Sequence, residues 1–183
     1  MAEPLDVEIK PLSPAAFAPF GHVIGPSETD PSFLVAWARG SRLSYDTEEP
    51  TEVLFMEYIP VPLECDLVER HFRVTQAFIP LAESPSIMVV AAPTGPATIP
   101  DPESFCAFHV PGTVGIILRK AAWHAVTRFP VSASGGRFAL LTGRETQREL
   151  EDSSRNGSRP TLTETVSLVE RYGIKLRLID LRV

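Results

Sequence analysis

Short apolar runs closed by turn residues recur along most of the chain. Residues 53–59, 77–81, 87–92, 104–110, 115–118, 122–126 and 137–141 have the length and the β-branched and aromatic content of strands. Ser-Pro-Ser, Pro-Thr-Gly-Pro, Pro-Asp-Pro-Glu-Ser, Val-Pro-Gly-Thr and Ser-Ala-Ser-Gly-Gly separate most of them, each placing proline or glycine where the chain must turn. Many short strands at this spacing predict an all-β barrel or sandwich. Two helical patterns interrupt it. Residues 14–20 follow Ser13, a natural N-cap, and open on a proline suited to the first helical position. Residues 161–172 carry Leu162, Val166 and Val169 at helical spacing, with Gly173 where a C-cap belongs. Residues 174–181 alternate as a final strand, and the polar stretch 149–160 predicts a flexible linker. The expected organisation is a mainly β domain over 1–148, a linker over 149–160, and a C-terminal helix and strand over 161–183 packed on the same domain.

Composition narrows this reading. Eighteen prolines exclude long helices over most of the chain, because an interior proline removes a helical hydrogen bond and clashes with the preceding turn. The 183 residues are enough to bury a real core. A net charge of −6 argues against nucleic acid as a partner, since phosphate binding needs a basic surface. A small anion is still compatible, because a few local cations hold one carboxylate in an acidic protein. No apolar run approaches the roughly 18 residues of a membrane helix, and the opening Met-Ala-Glu-Pro-Leu-Asp lacks a signal-peptide pattern. Cys65 and Cys106 form no Cys-x-x-Cys pair and read as reduced, structural thiols. The expectation is a cytoplasmic protein acting on a small molecule, with no nucleic-acid or membrane partner.

Candidate chemistry concentrates between Glu69 and His124. Residues two apart on a strand share a face, so Glu69 and His71 point together and Arg70 points away. A turn near 73–75 lets Gln76, on the next strand, come alongside them. Two ligand-type residues two apart, then a third five further on, resemble the first motif of the cupin barrels. That motif reads His-x-His followed by Glu, and here Glu69 and Gln76 take its outer positions. Pro111-Gly112-Thr113-Val114-Gly115, an apolar strand, and then Trp123-His124 resemble the second motif, in which a histidine completes the site. The fold expected is therefore a cupin-like, jelly-roll type β-barrel with a few short helices. His124 would face Glu69, His71 and Gln76 across its mouth.

Burying these side chains without a ligand or mutual hydrogen bonds costs free energy, so their convergence points to a site. Glu69, His71 and His124 are the candidate proton-transfer groups. His71, Gln76 and His124 offer the N and O donors of a divalent metal, nickel or another, and a metal-free site fits nearly as well. Arg73, Arg119 and Lys120 flank the motifs as candidate ligands for a substrate carboxylate, with Gln76 and Trp123 as further substrate contacts. Each of these, taken singly, also fits a core or solvated position. Arg39 and Arg42 sit in a loop-like stretch that would reach over the mouth. His109 reads as structural and His22 as a surface residue. The sequence has neither a Gly-rich phosphate loop nor a nucleophile elbow.

Taken together, Glu69-Arg70-His71, Thr75-Gln76-Ala77-Phe78-Ile79-Pro80, the strand ending in Val-Val-Ala-Ala-Pro, Ala107-Phe108, the Gly-Thr-Val-Gly turn and Trp123-His124 resemble the ureidoglycolate lyase family. Leu12 to Ile24 is similar to that family's opening, Phe-x-x-Phe/Tyr-Gly-x-Val-Ile, and the resemblance covers about residues 5–145. It implies a cupin-like homodimer that releases urea from (S)-ureidoglycolate to give glyoxylate, in allantoin and purine breakdown, with nickel or another divalent metal sometimes associated. Three departures accompany it. Val-Ala-Trp-Ala-Arg-Gly at 35–40 replaces the family's Ile-Asn-x-Gly, Ala125 stands where a second His often follows Trp-His, and 161–183 extend past the usual end. The first two motivate one alternative, a lyase or hydrolase on another small α-hydroxy or ureido acid; a second, from another class, is a non-catalytic cupin that binds a small acid.

Overall fold

The protein is described by a computed structural model over residues 2–26 and 31–180. Sixteen strands follow one another as β1 (Glu3–Pro11), β2 (Gly21–Ile24), β3 (Phe33–Val35), β4 (Ala38–Gly40), β5 (Thr51–Tyr58), β6 (Glu64–Cys65), β7 (Leu67–His71), β8 (Gln76–Leu81), β9 (Ser86–Ala91), β10 (Cys106–Val110), β11 (Gly115–Leu118), β12 (Trp123–Ala125), β13 (Phe129–Pro130), β14 (Gly136–Gly143), β15 (Thr163–Ser167) and β16 (Ile174–Asp180). Three helices accompany them: α1 (Pro14–Phe17), α2 (Arg144–Asn156) and α3 (Leu168–Tyr172). None is long and apolar enough to cross a membrane.

The larger sheet runs β15-β7-β12-β9-β10-β1-β16-β6, with β13 also paired to β9, and the smaller runs β2-β11-β8-β14-β5. Alternation along each strand divides the apolar residues into two cores. Val68, Val89, Ala107, Val7, Trp123 and Leu176 come from one face of the larger sheet and form a single cluster, which requires that sheet to curl strongly on itself. Its other face sends Met88, Val90 and Phe108 against Phe78, Ile116, Leu118 and Leu140 of the smaller sheet. The result is the expected cupin-like β-barrel, and its functional interior is the space between the two sheets.

Local physics explains where elements differ from expectation. Strand β1, with Leu5, Val7 and Ile9 alternating, pairs in parallel with both β10 and β16. Helix α1 starts as expected, with the Ser13 side chain accepting from the Ala16 N–H, but it stops at Phe17. The polar segment read as a linker over 149–160 is instead mostly helical, because α2 is held by polar anchors rather than an apolar stripe. The Glu49 carboxylate accepts from the Glu145 and Thr146 N–H groups and the Thr146 hydroxyl. Gly157 closes the helix at φ 73°, and Glu149 then accepts from the Thr161 and Leu162 N–H groups. Nor is 161–172 one helix. Thr163, Thr165 and Val166 are β-branched, and β15 pairs with β7. Helix formation waits for Ser167, whose hydroxyl accepts from Glu170 N–H while Asp66 accepts from Val169 N–H. The last strand pairs with β1 and β6; Leu181, expected within it, lies outside the described residues.

Candidate active site

Three neighbouring strands deliver the central cluster. His124 on β12 pairs with Glu69 on β7 and with Val90 on β9. Val90 faces the space between the sheets, so His124 and Glu69 do too, and His71 joins them two residues on. The turn before β12 is fixed to the same strand. Ala121, at φ 58°, donates its N–H to the His71 carbonyl at 2.7 Å. Glu69, His71 and His124 are all buried, at 9%, 3% and 3% exposure. Glu69 Oε1 lies 3.7 Å from His71 Nε2 and 3.5 Å from His124 Nε2, and the two imidazole rings are 5.1 Å apart.

The partners of each ring define its chemistry. His124 Nδ1 lies 3.2 Å from the Ala122 carbonyl, which only accepts, so Nδ1 carries a proton. The His124 Nε2 aimed at Glu69 is then a lone pair in the neutral ring and a donor only in the cation. That pair of atoms calls for a cation between them, a proton or a metal. His71 Nδ1 is bonded to Thr163 Oγ1 at 2.8 Å, and its Nε2 is buried with no hydrogen-bond partner among the described residues. Burial, aided by the charge of His124, pushes His71 down to about 4, so it is neutral at physiological pH. Burial alone would raise Glu69, but its contact with His124 outweighs this and holds the carboxyl below its usual value. The ligand atoms of Glu69, His71 and His124 lie within 4.8 Å of one another. Metal–ligand bonds of about 2.0–2.2 Å put neighbouring donors roughly 3–3.6 Å apart, close to the two His–carboxylate separations. The donor set, one carboxylate and two imidazoles with an orphaned Nε2, therefore fits a divalent ion.

Gln76 faces the same interior from β8, beside Phe78. Its amide donates to Thr142 Oγ1 at 3.1 Å, and its Oε1 is buried without a partner among the described residues. The other anticipated residues lie elsewhere. Trp123 alternates with His124 and points into the opposite core, where its Nε1 donates to Thr94 Oγ1 and the Arg70 guanidinium stacks on its ring. Lys120 is bound to Asp46 and Glu48 on the surface. Arg119 donates to the Ala18 carbonyl and, with Lys120 and His22, lines a hollow of about 260 Å³ on the outer side of the smaller sheet. Arg73 and His109 are exposed, and Arg39 lines a second outer hollow with His22 and Arg119. None of the three anticipated cations enters the interior. Among the described residues the cation that does is Arg128, 1% exposed, with Tyr58 beside it. Its sequence signal was slight: a lone charge between Thr127 and Phe129, directly before the Phe129–Pro130 strand. Thr142 and Thr163, which hold Gln76 and His71, gave no such signal: Thr142 lies just past the strand expected over 137–141, and Thr163 lies in the segment expected to be helical.

Comparison with known proteins places the chain in a family. The family model described as ureidoglycolate lyase matches residues 4–159. A protein of Pseudomonas savastanoi pv. phaseolicola named ureidoglycolate lyase is 37% identical over 127 residues, 63% of this chain and 71% of its own. One of the same name from Azotobacter vinelandii is 36% identical over 129 residues, 64% of this chain and 74% of its own. With a matching model over most of its length and a cupin-like barrel around a Glu-His-His cluster, the chain belongs to the ureidoglycolate lyase family.

Proposed function

We propose that this protein releases urea from (S)-ureidoglycolate and leaves glyoxylate, a step of allantoin and purine breakdown. The observation that carries the reading is the buried Glu69–His71–His124 cluster in a chain of this family. In the substrate one carbon holds a hydroxyl, a ureido nitrogen and a carboxylate. Breaking the C–N bond turns the C–OH into a C=O. A proton must leave the oxygen and another must reach the departing nitrogen. Glu69, kept ionised, takes the hydroxyl proton. Neutral His71 adds an acceptor at Nε2 that helps orient the hydroxyl. Cationic His124, its Nδ1–H spent on Ala122, gives the Nε2 proton to the nitrogen. The same three residues would hold a divalent ion, which when bound lowers the pKa of a substrate hydroxyl.

The test is to incubate purified protein with (S)-ureidoglycolate and to measure glyoxylate, urea and ammonia, with and without a chelator. Equimolar glyoxylate and urea is the expected result. Release of ammonia instead of urea would mean hydrolysis, and absence of turnover would remove the reading. Loss of activity on chelation, restored by nickel or another divalent ion, would select the metal-bound form.

We further propose a cytoplasmic homodimer. Leu34 and Trp37, 73% and 87% exposed, and Val53 and Phe55 on edge strand β5 leave large apolar side chains open to a second copy. Cys65 and Cys106 are both free thiols, as a reducing compartment keeps them. Light scattering on the purified protein should give twice the chain mass; a monomer would overturn the assembly.

A further inference from the structure

One charged side chain between the sheets has no use in the proton transfers above. Arg128 follows β12 and is 1% exposed. Its guanidinium lies 4.3 Å from the centroid of Phe78 and 5.0 Å from that of Phe138. Its Nε donates to Ser86 Oγ at 3.3 Å. Among the described residues neither Nη1 nor Nη2 has a hydrogen-bond partner. Arg70, just as buried, makes the contrast: Glu164, Thr94 and Gly95 take up its donors. A buried guanidinium left without an anion is strongly destabilising, and an apolar side chain of the same size fills such a space better. Burial draws Arg128 down to about 10, against a raising pull from Tyr58, so it keeps its charge at neutral pH.

Register relates Arg128 to the cluster. Ser86 opens β9, and Val90, four residues on and on the same face, pairs with His124. On the facing sheet the guanidinium covers Phe78, two strand positions from Gln76, about 7 Å along the sheet. Tyr58 responds to both ends: burial raises its hydroxyl, Arg128 draws it down and Glu69 pushes it up. Ser86 and Val90 are roughly 13 Å apart along β9, and the Arg128 side chain with a small acid on its guanidinium reaches along that separation towards the cluster.

We propose that Arg128 is the substrate's carboxylate anchor, its two unpartnered amino groups making paired hydrogen bonds to a small 2-hydroxy or 2-oxo acid whose second carbon points towards Glu69, His71 and His124. Ureidoglycolate as the particular acid rests on the function proposed above; the anchor applies to any acid of the class.

Arg128→Met and Arg128→Lys test it, by titration calorimetry with glyoxylate and glycolate, with neutral glycolamide as control, beside ureidoglycolate kinetics. Wild type should bind both acids and not the amide. The Met variant should lose affinity for glyoxylate by roughly 100-fold or more and show its defect mainly in KM, as expected where an Arg–carboxylate pair is removed. Its ligand-free melting temperature should equal or exceed that of wild type, because an unpaired buried charge has gone. The Lys variant, which keeps the charge, should bind about tenfold more weakly than wild type because it cannot fork onto a carboxylate. Equal glyoxylate affinity in wild type and either variant overturns the anchor, as does a wild type that binds neither acid. Turnover of ureidoglycolate with unchanged KM in the variants removes the anchor and spares the lyase. Glycolate binding through Arg128 without turnover removes the lyase and spares the anchor.

Discussion

His124 shows how one backbone carbonyl decides what a side chain can do. Because Ala122 takes the Nδ1 proton, Nε2 meets Glu69 either as a cation or across a shared ion. Glu69→Gln keeps the shape of this contact and removes its charge. We expect kcat to fall by about 10²–10⁴, the usual range for a lost proton-transfer group, with an unchanged circular dichroism spectrum; near-wild-type turnover would show that Glu69 is not the base. His71 imposes a pH limit on the metal-free fold. Folded, it resists protonation down to about 4, whereas its ordinary value is 6.5. Between those values the unfolded chain binds more protons, so the stabilisation is complete above the unfolded value and is lost as pH falls towards the folded one. The loss is at most about 3 kcal/mol. Melting chelated wild type and His71→Gln from neutral pH to pH near 4.5 should give the steeper decline in wild type; parallel declines would contradict it.

Helix α2 shows what an element needs when its sequence offers no apolar stripe. Its first turn depends on Glu49, 7% exposed, which accepts from two N–H groups and a hydroxyl. Gly143 is glycine at the junction because an added Cβ would come within 2.3 Å of the Glu49 carboxyl carbon. Glu49→Ala should therefore cost about 1–3 kcal/mol, the range for buried donors left unpaired. Amide exchange should accelerate first in 144–148; a stable variant with unchanged exchange would rule the anchor out. This dependence also explains what the sequence could and could not disclose. Strands such as β8, β9 and β14 are written in short apolar runs closed by turn residues, strand parity puts Glu69 and His71 on one face, and His124 is read from the resemblance to the second cupin motif. The anchor of α2 sits nearly a hundred residues from the helix it caps, and no local pattern encodes it. Thr163 and Arg128 were hidden for the same reason. Each meets its partner only through sheet pairing or a turn, whereas Arg119 and Lys120 looked suitable because they neighbour the motif in sequence while pointing out of the barrel.

At the level of the whole molecule, the strands beyond the family match are part of the barrel. The model matches 4–159, yet β15 and β16 lie in 163–180 and pair with β7, β1 and β6. Leu168, Leu176 and Leu178 are 0%, 0% and 4% exposed within the core of the larger sheet. At about 1.5–3 kcal/mol each, these three leucines alone rival the roughly 5–15 kcal/mol net stability of a typical domain. A chain ended after residue 159 should thus give no cooperative melt and should be cut rapidly by trypsin, although it retains every residue matched by the family. The site depends on the same segment, since Thr163 on β15 holds His71 Nδ1. Thr163→Val preserves the shape of that strand while deleting the hydrogen bond. Its melting temperature should stay close to wild type, while kcat falls about tenfold or more as His71 loses its fixed orientation. A cooperative, active 1–159 fragment would make the C-terminal strands dispensable, and an unaltered kcat in Thr163→Val would separate them from the chemistry. If both effects appear, one added segment closes the sheet and orients a reacting side chain, which ties the stability of this barrel to its activity.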